Sequence, residues 1–346
     1  MTQVKLIQGC CGWQDQQYPA SVKKDATGKL QYYSRQLPSV EVNASTYTIL
    51  NPTICAAWAK AVPPDFIFHF KAFGLFCSKG SPYGNLPSAV REMLPPGRYS
   101  SSSYVPMSEL PAAAINTAWL LFLASLEPVY QAGKLGVVTF QFHLSYHPSE
   151  SSLAYILECR KRLDSRFQMA AEFRCRRWFT EENWRRKNAC SVICARVLPV
   201  AVEVTTADFF YVRVHRRSGK EERRLTDEEI AAWRARIDRV VEAKVAGPIY
   251  SLWGTDHADI PLRNSRALQE AVPEDLWFDW KPEAPAGTIA ALFSKKNTSV
   301  KSDKGADSGD KAREDKVVGE LPARREIEEG SAKRKEKGIK RFFNQL

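Results

Sequence analysis

Phe210-Tyr211-Val212-Arg213-Val214-His215 is an aromatic and β-branched run that ends on ionisable side chains. Five more runs follow the same plan: Ser39-Val40-Glu41-Val42-Asn43, Phe66-Ile67-Phe68-His69-Phe70-Lys71, Val137-Val138-Thr139-Phe140-Gln141-Phe142-His143, Met169-Ala170-Ala171-Glu172-Phe173-Arg174 and Ile249-Tyr250-Ser251-Leu252-Trp253. Helix-like stretches separate most of them. A parallel α/β barrel is organised this way, with its chemistry at the carboxyl ends of the strands, where the loops converge on one mouth. The expected fold is therefore a (β/α)8 barrel of the TIM type.

Working outward, 5–10 reads as a first strand closing on Gly12-Trp13. Stretches 30–37, 53–61 and 112–131 read as helices, apolar spacing at three and four residues predicts another over 153–163, and a further helix over 181–188 leads to a strand near Val192-Ile193-Cys194. Thr226-Asp227-Glu228-Glu229 is a capping box that starts a helix running to about residue 243. Eight strands and about seven helices result, and no repeat of fixed period is visible.

The chain has 346 residues, 44% of them hydrophobic, and a barrel uses about 250 as one domain. The expected organisation is a barrel over 1–281, with 76–111 inserted as a mobile loop after the third strand, and a disordered basic tail over 282–346. Gly, Pro and the run Ser100-Ser101-Ser102-Ser103 break any period in the insertion, and Pro282-Glu283-Ala284-Pro285-Ala286-Gly287 marks the tail boundary. From Ser294 to Leu346 there are 15 Lys/Arg against 10 Asp/Glu, so about half of the net charge of +11 sits in a seventh of the chain. Such a polar segment buries too little apolar surface to offset the entropy of ordering it. No apolar run is read as reaching the roughly 20 residues that span a bilayer, so no membrane role is expected. The eight cysteines are scattered through apolar segments and read as reduced core thiols; Cys10-Cys11 has no partner pair at zinc-ligand spacing.

Several of these motifs together resemble a known family. Gly9-Cys10-Cys11-Gly12-Trp13, Val40-Glu41-Val42-Asn43 with Tyr47, Phe68-His69-Phe70-Lys71-Ala72, Leu135-Gly136 through Phe140-Gln141, Glu172-Phe173-Arg174 with Trp178, and Tyr211-Val212-Arg213-Val214-His215 are similar, in order, to the motifs of the YecE-like family, domain of unknown function 72. The resemblance runs from about residue 5 to 272. It implies a TIM-related barrel with a polar pocket at the strand ends and names no reaction. The chain departs from the family pattern at Cys175, Arg177, His143 to His147 and Trp253-Gly254-Thr255-Asp256-His257.

Residues two apart on a strand point the same way, so Glu41 with Asn43, Gln141 with His143, Glu172 with Arg174, and Arg213 with His215 form same-face pairs. If these ends share one mouth, carboxylates, cations and imidazoles meet in one cleft. Glu41, Lys71, Glu172 and His215 are the candidate catalytic groups; Trp13, Asn43, Gln141, His143, Arg174 and Arg213 are the candidate substrate-binding ones. A carboxylate near Lys71 or Arg213 stays ionised, and one desolvated by Trp13 and Trp178 has its pKa raised, the asymmetry that general acid and base roles require. The plain alternative is that Glu172–Arg174 and Glu41–Lys71 are ion pairs that set strand register. Glu41, His143, Glu172, His215, Asp256 and His257 are also metal-ligand types, which leaves a divalent ion open as a cofactor, but Lys71, Arg174 and Arg213 oppose a cation and suit phosphate or carboxylate. No metal ligand is therefore assigned. His69 reads as a satisfied structural histidine.

The last residues carry a second signal. Glu336-Lys337-Gly338-Ile339-Lys340-Arg341-Phe342-Phe343 resembles the peptide by which replication and repair proteins dock on the sliding clamp PCNA, with Glu336 in place of the usual glutamine. One helical turn puts Ile339, Phe342 and Phe343 on one face as an apolar plug. A poorer copy at 287–293 reads as a barrel-packing helix. Lys333-Arg334-Lys335 and Arg324-Arg325 suit a nuclear address, with the cytoplasm as the alternative, and attract nucleic-acid phosphates. Two function classes follow. One is a hydrolase or lyase acting on a phosphate-bearing nucleotide or nucleic acid and recruited to PCNA; the other is a noncatalytic module that binds an anionic ligand or nucleic acid and is tethered to the clamp.

Overall fold

The computed structural model describes residues 4–14, 18–22, 25–179, 192–193, 208–214, 224–242, 247–254 and 259–280, all within the first of two units, Met1–Lys296. The parallel strands are β1 (Leu6–Cys10), β2 (Ser39–Val42), β3 (Ile67–Lys71), β6 (Leu135–Phe142), β7 (Gln168–Phe173), the two-residue β8 (Val192–Ile193), β9 (Phe210–Val214) and β10 (Ile249–Trp253). They pair in the order β8-β7-β6-β3-β2-β1-β10-β9. The two end strands approach each other, but among the described residues no ladder joins them. The barrel is thus nearly closed, with seven strands of four residues or more, where a complete eight-stranded ring was expected.

Strand alternation sorts the side chains into two layers. Val40, Val42, Phe68, Phe70, Phe140, Phe142, Phe173, Val212 and Trp253 point outward and build the main core under the helices. Ile7, Val137, Ala170, Phe209, Tyr211, Tyr250 and Leu252 form a separate cluster inside the barrel. Glu41, His69, Lys71, Thr139, Gln141, Glu172 and Arg213 fall on that inner period, so polar residues occupy positions a barrel normally fills with branched apolar ones.

Local chemistry sets the helix starts. Asp25 caps α1 (Ala26–Tyr33) by accepting from the Gly28 N–H at 2.7 Å, which places the helix four residues before the expected start. The expected capping box is present at Asp227–Glu242: the Glu229 N–H donates to Thr226 Oγ1 at 3.3 Å, and the Thr226 N–H to Glu229 Oε2 at 2.9 Å. The helix Ala112–Gln131 has the expected bounds, yet it is long and apolar enough by composition to cross a membrane, which the sequence reading overlooked. Its Ala114, Ala118, Trp119, Phe122, Leu126 and Val129 turn into the core, and Trp119 stacks on Phe76 at 4.0 Å, as in a core helix of a barrel.

The 76–111 insertion, expected as a mobile loop, instead carries regular structure and core side chains. Gly80–Pro82 (β4) pairs antiparallel with Tyr104–Pro106 (β5), and Ser88–Arg91 forms a short helix. Phe76, Leu86, Val90, Leu94, Val105 and Leu110 are buried in the main core. The His143 N–H donates to the Cys77 carbonyl at 3.1 Å, which ties the start of the insertion to the carboxyl end of β6. The expected helix over 181–188 and the tail from 281 onward lie outside the described residues.

Candidate functional site

Arg213, on the inner face of β9, is the hub of the barrel mouth. Its Nε donates to Glu41 Oε1 at 3.0 Å, its NH1 to Glu172 Oε2 at 2.6 Å, and its NH2 lies 3.6 Å from Cys11 Sγ. Arg213, Glu41 and Glu172 are 3%, 0% and 1% exposed, so the two carboxylates and the guanidinium that bridges them sit beneath the surface of the mouth. The Tyr211 hydroxyl, two residues before Arg213 and on the same face, donates to Glu41 Oε2 at 2.8 Å. Gln141 Nε2 donates to Glu172 Oε2 at 2.7 Å, and the Lys71 ammonium reaches Gln141 Oε1 at 3.4 Å.

Each charge has an identifiable electrostatic setting. Burial pushes the Glu172 carboxyl up, but Arg213 and the Gln141 amide outweigh it and hold it below the usual carboxylate range. Burial and then the neighbouring Arg213 lower the Lys71 pKa, against the pull of Glu41. Burial pushes the Cys11 thiol up to about 12, so it meets Arg213 as a neutral, weak acceptor. Beneath this layer His69 is held neutral, its pKa lowered to about 3 by burial. His69 is only half satisfied: Nδ1 accepts from the Val137 N–H at 3.0 Å, whereas Nε2 has no hydrogen-bond partner among the described residues and the ring stands edge-on to Tyr211 and Tyr250.

Of the expected site residues, Glu41, Lys71, Gln141, Glu172 and Arg213 come together in this network. Arg174 stands at its edge, with Nε 3.6 Å from Glu172 Oε1, no hydrogen-bond partner at that nitrogen, and a side chain 29% exposed. Asn43 donates to the Cys11 carbonyl at 2.5 Å and leaves its Oδ1 buried without a partner. His143 does not join: β6 ends at Phe142, the two-residue period stops there, and the exposed imidazole pairs with Ser145 Oγ at 2.9 Å. Trp13 is buried in the outer core, edge-on to Trp58 at 5.0 Å, and Trp178 packs on Phe173 at 4.4 Å. Neither therefore creates the expected raised carboxylate. The alternative Glu41–Lys71 ion pair is absent among the described residues; Glu41 is paired with Arg213. Tyr211 and Cys11 were missed, although the strand period from Arg213 and from Gly9 points to both. His215, Asp256 and His257 lie outside the described residues, and among the described ones no three His, Cys, Asp or Glu side chains are grouped as metal ligands.

The profile of the family described as protein of unknown function DUF72 matches residues 7–287. The chain belongs to this family. UPF0759 protein YunF of Bacillus subtilis (strain 168) is 28% identical over 173 residues, 50% of this chain and 51% of that protein, so the chain spans about half the length of the curated relative it matches. A DUF72 protein of Enterococcus faecalis V583 superposes with a TM-score of 0.58 at 16% identity, covering 78% of this chain and 98% of that one. One from Thermotoga maritima MSB8 gives 0.57 at 19% identity, covering 77% and 99%. These two likenesses establish a shared DUF72 barrel fold.

Proposed function

We propose that the barrel mouth binds a phosphate-bearing ligand, a nucleotide or nucleic-acid strand, on which the protein acts as a hydrolase or lyase. The observation that carries this reading is the unspent positive charge at the mouth. Three cations, Lys71, Arg174 and Arg213, face two carboxylates, Glu41 and Glu172. Arg213 bonds both carboxylates, Lys71 keeps one long hydrogen bond, and Arg174 pairs loosely with Glu172 at 3.6 Å. A half-buried lysine held by one long hydrogen bond and a partly exposed guanidinium suit an anion. The carboxylates hold and orient; the proton-transfer candidate is Lys71, because a lowered pKa brings an amine toward neutral pH.

Calorimetry with inorganic phosphate and with a short single-stranded oligonucleotide tests the reading. Lys71→Met and Arg174→Gln should each weaken phosphate binding about tenfold or more, since a hydrogen bond to a charged group contributes roughly 1.5–3 kcal/mol. Wild-type protein that takes up no phosphate, or variants that bind it equally, would contradict the proposal. A second reading, a noncatalytic anion-binding module, is favoured by one observation: Glu172 is held below the usual carboxylate range and so is not a general acid.

The tail gives the same protein a place to work. We read 336–343 as a PCNA-docking peptide whose plug is Ile339, Phe342 and Phe343, and the upstream basic clusters as a nuclear address. A peptide of residues 336–346 should bind the clamp at about micromolar affinity, roughly −8 kcal/mol. Phe342→Ala with Phe343→Ala should weaken it at least about a hundredfold, two buried rings contributing on the order of 1.5–3 kcal/mol each. Equal binding by the doubly substituted peptide would dissociate the barrel from the clamp.

A further inference from the structure

We propose that Lys71 is a nucleophile that forms an imine with the carbonyl carbon of an open-chain sugar phosphate at the barrel mouth. The inference rests on the anion-binding reading above and adds the substrate class and the role of one atom. Two lysines of the barrel make the contrast. Lys134, buried, spends its ammonium on structure, donating to the Ala59 carbonyl at 2.6 Å and the Val62 carbonyl at 3.0 Å. Lys71 has no carbonyl or carboxylate so placed among the described residues: its single hydrogen bond is the 3.4 Å contact with Gln141 Oε1, and it forms no ion pair.

The surroundings hold the amine in place without consuming it. Gln141 is fixed by its own 2.7 Å bond to Glu172, so its oxygen stays turned toward Nζ. The Lys71 backbone is anchored where Ser45 Oγ donates to its carbonyl at 2.7 Å. Lys71 as a whole is half-buried. Arg213, held by both carboxylates, places a second positive charge nearby and so disfavours the ammonium form relative to the free amine. Arg174, just past the end of β7 with Nε buried 3.6 Å from Glu172 Oε1 and its side chain 29% exposed, adds a further cation at the mouth for the phosphate.

The step balances without another reactant. The free amine of Lys71 adds to the aldehyde carbon, and the carbonyl oxygen leaves as water with both amine hydrogens, giving the carbon–nitrogen double bond. The imine draws electron density from the adjoining carbon, which is what a lyase acting on a carbonyl compound requires. The aldehyde could come from a free sugar phosphate or from an abasic deoxyribose within a DNA strand; the chemistry recognised is the same.

Full-length protein is incubated with 2-deoxyribose 5-phosphate in one arm and an oligonucleotide containing an abasic site in the other, with sodium borohydride added to reduce the imine to a stable secondary amine. Intact-mass and peptide mapping should place one adduct on Lys71, and inorganic phosphate should compete it away. The arm that labels identifies the source of the aldehyde. Lys71→Arg keeps a positive charge but has no nucleophilic amine, so it should lose the adduct; an unchanged thermal melt shows that it folds. Adducts spread over surface lysines alike in wild type and Lys71→Arg, or no adduct on a wild-type protein that binds phosphate, would overturn the imine and leave the anion reading standing. A wild-type protein that neither binds phosphate nor labels would overturn both.

Discussion

Lys71 and His69, two residues apart on β3, face the barrel interior and carry different costs. Lys71 has a lowered pKa, so its charged form is disfavoured in the folded chain. A group of this sign destabilises the fold below its folded pKa, and the cost disappears as pH rises toward the unfolded value. Lys71→Met should therefore raise stability at neutral pH by roughly 0.5–2 kcal/mol while weakening phosphate binding, the opposition expected of a functional residue. Denaturant melts of both proteins check it; a less stable variant would make Lys71 structural. His69 is neutral in the fold with a pKa of about 3, below its ordinary 6.5. The unfolded chain binds a proton that the native one refuses, so stability is present above 6.5 and is lost as pH falls from there toward 3. The slope in that window should reach up to about 1.4 kcal/mol per pH unit from this residue and be shallower in His69→Gln, which keeps an acceptor for the Val137 N–H but does not titrate. Equal slopes would contradict the assignment. At this scale the sequence was partly legible: Glu41, Lys71, Gln141, Glu172 and Arg213 follow from strand period alone. Which carboxylate Arg213 takes, and that Trp13 turns away from the mouth, depends on how strands are staggered around the barrel, and one chain carries no signal for that stagger.

The strand elements explain why the inner layer holds together. Gly136 on β6 has no Cβ, and one placed there would lie 2.6 Å from His69 Nδ1. That space lets the imidazole accept the neighbouring Val137 N–H. Gly136→Ala should push the ring off this position and cost about 1–3 kcal/mol, by crowding and by leaving the buried N–H unpaired. Chemical denaturation reads the loss, and a neutral outcome would show that β6 yields easily. Gly9 makes a similar approach between β1 and β2, its missing Cβ falling 2.3 Å from the Ser39 carbonyl oxygen. Long elements were readable because their period repeats many times, as in the helix Ala112–Gln131. The ribbon of β4 and β5 was not, because three-residue strands containing Pro82 and Pro106 look like loop, and only tertiary contact buries Val105 and Leu94.

For the whole molecule, the nearly closed barrel turns six separate strand ends into one electrostatic unit. Arg213 bridges Glu41 and Glu172 below the mouth, and with Lys71 and Arg174 three cations against two carboxylates leave one positive charge for a ligand. The central claim is that the Lys71 amine at the mouth has a perturbed pKa and a single long hydrogen bond. It is tested most directly by following the Lys71 13Cε resonance against pH, with and without inorganic phosphate, assigned by comparison with Lys71→Arg. The midpoint should fall below those of the surface lysines and rise when phosphate binds, as an added negative charge stabilises the ammonium. A Lys71 signal that titrates with the surface lysines and does not respond to phosphate would contradict the account.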